Sequence, residues 1–133
     1  APNICYESIY GDWTAKFARA GANYIAIMSN DGWWGKTYGY HQLFDYGKLR
    51  AIENRRWIVR SGNTGISGVI SPKGIVSQET KFWERTQVNA SIYKRSELTL
   101  YTRWGDFLNR TLFLVSLFVI PGLIVRRVLR NKG

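Results

Sequence analysis

From Thr111 to Val125 the chain carries no charged residue and is dominated by Leu, Phe, Val and Ile. Phe107 and Leu108 extend the apolar stretch to 19 residues, close to the ~20 needed to cross the hydrocarbon core of a bilayer. Arg110 lies near one end, where its long side chain reaches the interface, and Pro121-Gly122 is a pair that a membrane helix tolerates better than a soluble one. A buried core helix is the competing reading; the length of the run favours a span. Arg126, Arg127, Arg130 and Lys132 follow at once, which places the C-terminus in the cytoplasm and the preceding residues on the other side, in a bacterium the periplasm. The chain begins at Ala1 and has no cleavable signal peptide, as expected of the later part of a longer membrane protein.

The first 106 residues are a different material. They hold fourteen Lys/Arg against nine Asp/Glu, whereas residues 107 to 133 hold five Lys/Arg and no acid. Half of the net charge of +10 therefore belongs to the flanks of the apolar run, and the chain is read as a membrane protein with no nucleic-acid partner. With 45% hydrophobic and 15% aromatic residues, the body has enough apolar material for one packed domain, which argues against disorder.

Asn3 to Tyr6 reads as a strand end. Asp12 is placed to cap a helix to about Ala20, with Trp13, Phe17 and Ala20 on one side and Gly21 as its stop. Tyr24 to Ser29 has the length of a strand, Asn30 to Lys36 the composition of a loop, Tyr40 to Asn54 the pattern of a helix, and Trp57 to Ser61 that of another strand. Ile66 to Ile70 and Ile75 to Gln78 flank the turn Ser71-Pro72-Lys73-Gly74 as a hairpin, and Val88 to Tyr93 is expected to add a further strand. Strand and helix alternating, then a hairpin, predict a layered α/β domain with a mixed sheet.

Cys5 is the only cysteine and the natural nucleophile; the alternative is a small buried hydrophobe. In an extended segment Glu7 points the same way as Cys5, as a site acid or as a surface carboxylate. His41 is the only histidine, and nothing in the spacing brings it to Cys5. One Cys and one His fall short of a metal site, and Gly62 to Gly68 lacks the lysine of a phosphate loop, so no metal and no cofactor are expected. The sequons at Asn89 and Asn109 carry little weight in a bacterial membrane protein. Trp33 and Trp34 are adjacent in a Gly-flanked loop. At least one is expected near the surface, where an indole suits a headgroup layer or the mouth of a lipid pocket.

Five blocks carry a resemblance: Ile4-Cys5-Tyr6-Glu7, Ser29-Asn30-Asp31-Gly32-Trp33-Trp34-Gly35, Arg50-Ala51-Ile52-Glu53, Arg60-Ser61-Gly62-Asn63-Thr64-Gly65 and Tyr101-Thr102-Arg103-Trp104-Gly105-Asp106. In this order they resemble the C-terminal half of the apolipoprotein N-acyltransferases, the membrane-bound bacterial branch of the nitrilase (carbon-nitrogen hydrolase) superfamily. The resemblance implies an α/β fold: the C-terminal half of a nitrilase-like αββα sandwich at residues 1–100, a juxtamembrane segment at 101–106, one C-terminal transmembrane helix at 107–127 and a cytoplasmic basic tail at 128–133.

It also implies a chemistry. Cys5 matches the nucleophile that takes an acyl chain from a phospholipid as a thioester, for transfer to the α-amino group of the diacylglyceryl-cysteine of an apolipoprotein. Glu7 matches an additional essential acid. Tyr6, Asn30, Trp33 and Trp34 fall where lipid would be bound, although the family often has Phe in place of Trp34. The enzyme implied sits in the bacterial inner membrane with a periplasmic catalytic domain. Its triad Glu and Lys lie upstream of the nucleophile, where this chain has four residues, so a missing N-terminal part is expected to supply both. A catalytically inactive lipid- or lipoprotein-binding remnant and a nitrilase-type amidase are the alternatives; the amidase needs neither the span nor the Trp-rich loop.

Overall fold

The computed structural model describes residues 1–131; Lys132, expected in the basic tail, lies outside the described residues. Three parallel strands, β1 (Pro2–Ile4), β2 (Tyr24–Asn30) and β3 (Trp57–Asn63), are joined through helices α1 (Gly11–Arg19) and α2 (Gly39–Asn54). β4 (Gly68–Ile70) and β5 (Val76–Glu79) then add on antiparallel, giving a mixed sheet in the order β1-β2-β3-β4-β5. Right-handed crossovers put both helices on one face of the sheet. Alternate strand residues meet them: Ile25, Ile27, Ile58 and Ile70 are fully buried with Phe44 and Ala51 of α2. Each such isoleucine contributes about 2 kcal/mol by leaving water. The other face is open, with Ile4, Tyr24 and Met28 exposed.

Several local expectations change. Helix α1 starts two residues earlier than an Asp12 cap would allow, with Tyr10 as its N-cap. Its buried face is Thr14, Ala15 and Ala18, while Trp13 and Ala20 are exposed, because only small side chains fit where α1 lies against its neighbours. Gly21 does end the helix, at φ +96°. Val88 to Tyr93 forms no strand; no regular element lies between Glu79 and Leu100. It pairs with neither edge of the sheet, and the chain just after it is tied down by side chains. Buried Arg56 donates to the carbonyls of Ala22 (2.7 Å) and Glu97 (2.7 Å), and Asn23 donates to that of Arg95 (3.1 Å).

The chain ends in α3 (Leu100–Trp104) and α4 (Phe107–Arg130), so the expected juxtamembrane segment is itself largely helical and the last helix runs past residue 127. Over Phe107–Ile124 α4 has a mean hydropathy of 1.8 and none of it is buried against the domain. Its root is fixed at Asp12. One carboxylate oxygen accepts the Asp106 N–H (3.0 Å) and the other meets Arg110 (3.2 Å), while Gly105, at φ +66°, makes the bend because any Cβ there would overlap Asp12.

Candidate active site

Cys5 sits immediately beyond the C-terminal end of β1, the end at which open α/β sheets place their ligands. It is not part of the strand, as the local pattern led one to expect. The chain turns there into a short 3₁₀ helix (Cys5–Ile9), and Cys5 itself has φ +47°, an uncommon conformation for a side chain other than Gly, Asn or Asp. The turn is held from both sides. Ser8 donates to the Cys5 carbonyl (2.8 Å), Arg50 of α2 donates to the Ile9 carbonyl (2.8 Å), and buried Asn3 donates to Thr14 of α1 (2.7 Å).

Glu7 does not point the same way as Cys5. Because the segment is a 3₁₀ turn rather than a strand, the carboxylate folds back and accepts the Ile4 N–H at 2.7 Å, capping the turn that presents the thiol. Tyr6 is half exposed with its ring 6.1 Å from that of Trp34. Trp34 is partly buried and closes over Gly39, where a Cβ would overlap the indole. Trp33 is the outward member of the pair, 87% exposed. Asn30 caps the short helix Asp31–Trp34 through its side-chain oxygen. His41 stacks between Tyr38 and Tyr40 and takes no part in the site.

A cleft of about 570 Å³ opens over the thiol, lined by Cys5, Ile4, Met28, Asn30 and Trp33 among others. Among the described residues, no Asp, Glu, Lys, Arg or His lines it. The charged groups lie underneath. Asp31 and Arg60 form a fully buried ion pair, with one guanidinium nitrogen 2.9 and 2.7 Å from the two carboxylate oxygens. Arg60 also donates to the Ile66 carbonyl (3.1 Å). Ser29, buried beside them, lies within hydrogen-bond reach of Asp31 and 3.5 Å from the Cys5 sulfur. One hydroxyl proton cannot serve both, and the carboxylate is the stronger acceptor, so Ser29 turns a lone pair toward the thiol.

Ser29, Asp31 and Arg60 lie within the blocks that carry the resemblance, yet local pattern assigns them no role. The available signal was Arg60 following the apolar strand residues Trp57 to Val59, since a charge carried into the core requires a partner. Gly65 belongs to the same unit: a Cβ there would overlap the Asp31 carboxylate. Arg50 and Glu53, from another block, form a second pair (2.9 Å) beside the turn; burial holds the Glu53 carboxyl above its ordinary range against the pull of Arg50.

The chain is an α/β domain with parallel strands at its centre and one cysteine raised on a turn at positive φ, at the floor of an open cleft. The carbon-nitrogen hydrolase family model matches residues 1–99, and the chain belongs to that family. It is 38% identical over 103 residues to the apolipoprotein N-acyltransferase of Chlorobaculum tepidum, covering 77% of this chain and 19% of that protein. With its counterpart in Bdellovibrio bacteriovorus it shares 35% over 132 residues, 98% of this chain and 23% of the relative. The chain thus spans about a fifth to a quarter of the curated relatives it matches. Among solved structures, a mutant amidase from Nesterenkonia sp. AN1, carrying the product of Michael addition of acrylamide at its active site cysteine, superposes with a TM-score of 0.53 at 17% identity. That match covers 84% of this chain and 44% of the amidase, a likeness of fold.

Proposed function

We propose that this chain is the nucleophile-bearing part of an apolipoprotein N-acyltransferase. The observation that carries the reading is Cys5 at the floor of an open, largely apolar cleft in a chain whose last helix keeps a wholly exposed apolar surface. In the first half-reaction the Cys5 thiolate attacks an ester carbonyl of a phospholipid. The C–S bond forms, the C–O bond breaks, and the lysophospholipid leaves with a proton. In the second, the α-amino nitrogen of the lipoprotein's diacylglyceryl-cysteine attacks the thioester, which gives the amide and returns the thiol. Each step needs a base and a cation for the oxyanion. The cleft contains neither, and a Glu and a Lys from outside these 133 residues complete the site. Glu7 acts through the turn: its carboxylate fixes the backbone from which Cys5 projects. Trp33, Met28 and Asn30 in the cleft, with Tyr6 against Trp34 beside it, provide the surface for the acyl chain.

In this reading α4 crosses the bacterial inner membrane, with Arg126, Arg127 and Arg130 on the cytoplasmic side and residues 1–106 on the periplasmic side. The wholly exposed apolar surface of α4 favours this over a soluble amidase. The test is to incubate the complete enzyme with a phospholipid bearing an alkyne-tagged acyl chain. A hydroxylamine-sensitive label on Cys5, chased onto a lipoprotein amino terminus and absent from Cys5→Ala, is the expected result. Full transfer by Cys5→Ala overturns the mechanism.

A further inference from the structure

A second cleft, of about 320 Å³, lies at the root of α4 and shares no lining residue with the Cys5 cleft. Four cationic side chains line it, Lys16 and Arg19 from α1, Arg103 from α3 and Arg110 from α4, against one carboxylate, Asp12. Two of the four are partly engaged: Arg19 donates to the Thr102 carbonyl (2.6 Å) and Arg110 meets Asp12 (3.2 Å). Lys16 lies over the Trp13 ring, 5.4 Å from its centre, and among the described residues neither Lys16 nor Arg103 has a carboxylate partner. The nearby carboxylate of Asp106 is turned away to Asn109 (2.6 Å). All four cations are exposed, so the folded domain does not need their charges for its own core.

We infer that this cleft holds the phosphodiester of an anionic phospholipid headgroup and so orients the domain on the membrane. The inference rests on the membrane placement of α4 proposed above. Its location selects a lipid rather than a free ion. Trp104 lines the cleft and meets Phe107 edge-on (5.7 Å) where the apolar surface of α4 begins, and Trp13 is exposed on the adjoining helix; amphipathic aromatics collect at the headgroup layer. A volume of 320 Å³ is at the lower end of small-molecule sites. Asp12, by holding Arg110 and the Asp106 backbone, keeps the fourth cation in the cleft and aligns it with the first turn of α4.

Native mass spectrometry of the complete enzyme in detergent, titrated with dioleoyl phosphatidylglycerol, tests this. Lys16→Gln/Arg103→Gln is compared with Lys73→Gln/Arg85→Gln, which removes the same charge elsewhere. One retained lipid in the parent protein, weakened about tenfold or more only by the first pair, is the expected outcome. Equal weakening by both pairs means diffuse charge attraction and overturns the site. Displacement of the lipid by an equal concentration of inorganic phosphate overturns its assignment to a headgroup. Cys5 acylation appears in the same spectra as a covalent mass gain, so loss of the lipid site with acylation intact refutes only this inference, and retained lipid with no acylation refutes only the transfer chemistry.

Discussion

Replacing Arg60 by Met isolates the buried ion pair beneath Cys5. Methionine keeps much of the apolar stem and removes the guanidinium, leaving Asp31 with no cation in a site from which water is excluded, both side chains being fully buried. Stranding one member of such a pair costs about 3–5 kcal/mol, part of which is the Ile66 carbonyl losing its donor. That is a large share of the ~5–15 kcal/mol that stabilises a typical domain. Removing both charges, in Asp31→Leu/Arg60→Met, leaves no buried charge unpaired, and the double variant should recover at least half of the loss. Urea denaturation in detergent, followed by tryptophan fluorescence, measures the single variants, the double variant and their coupling. Arg60→Met within about 1 kcal/mol of the parent, or a double variant equal to the sum of the singles, would refute the argument that the pair acts as one unit.

Gly65→Ala should destabilise through the same unit by about 1–3 kcal/mol, because its Cβ overlaps the Asp31 carboxylate, and the urea midpoint reads this directly. Burial, then the neighbouring Glu53 charge, raises the Tyr101 phenol above its ordinary value of 10.0. The unfolded chain therefore ionises first, and this stability contribution is complete below pH 10.0 and declines as pH rises toward the folded-state value. Tyr101→Phe should flatten the alkaline limb of a stability–pH curve; an unchanged limb refutes the assignment. Trp33→Ala should leave the unfolding midpoint within about 0.5 kcal/mol of the parent, since the side chain is almost fully exposed, and should raise the KM for the lipid donor in the complete enzyme. Glu7→Gln keeps an acceptor for the Ile4 N–H but loses its charge. It should retain more Cys5 acylation than Glu7→Ala if the residue works by holding the turn, and equal loss in both would point to the charge itself.

Much of this protein follows from local pattern. Alternation and turn residues place β2, α2, β3 and the β4–β5 hairpin to within a few residues, because each element's period and punctuation are written in its own segment. The apolar run sets the long terminal helix for the same reason: its composition admits few other environments. Cys5 stands out as the one thiol, and Trp33-Trp34 as the pair of which one stays exposed.

Tertiary structure decided the rest. Val88 to Tyr93 has strand-like alternation, yet it pairs with neither edge of the sheet, and Arg56 fastens the neighbouring chain through the Glu97 carbonyl. An extended segment would turn Glu7 the way Cys5 faces; a turn at φ +47° sends it back to the Ile4 amide. Asp31 and Arg60 lie 29 residues apart, and Asp12 and Arg110 lie 98 apart. The first pair meets because the parallel register sets Ile27 beside Arg60 and Asn30 beside Asn63, the second because α3 returns the chain to α1. Periodicity fixes which way a side chain faces within its own element. Which charge it faces depends on how distant elements are registered, and burial then makes an unpaired charge too costly to leave.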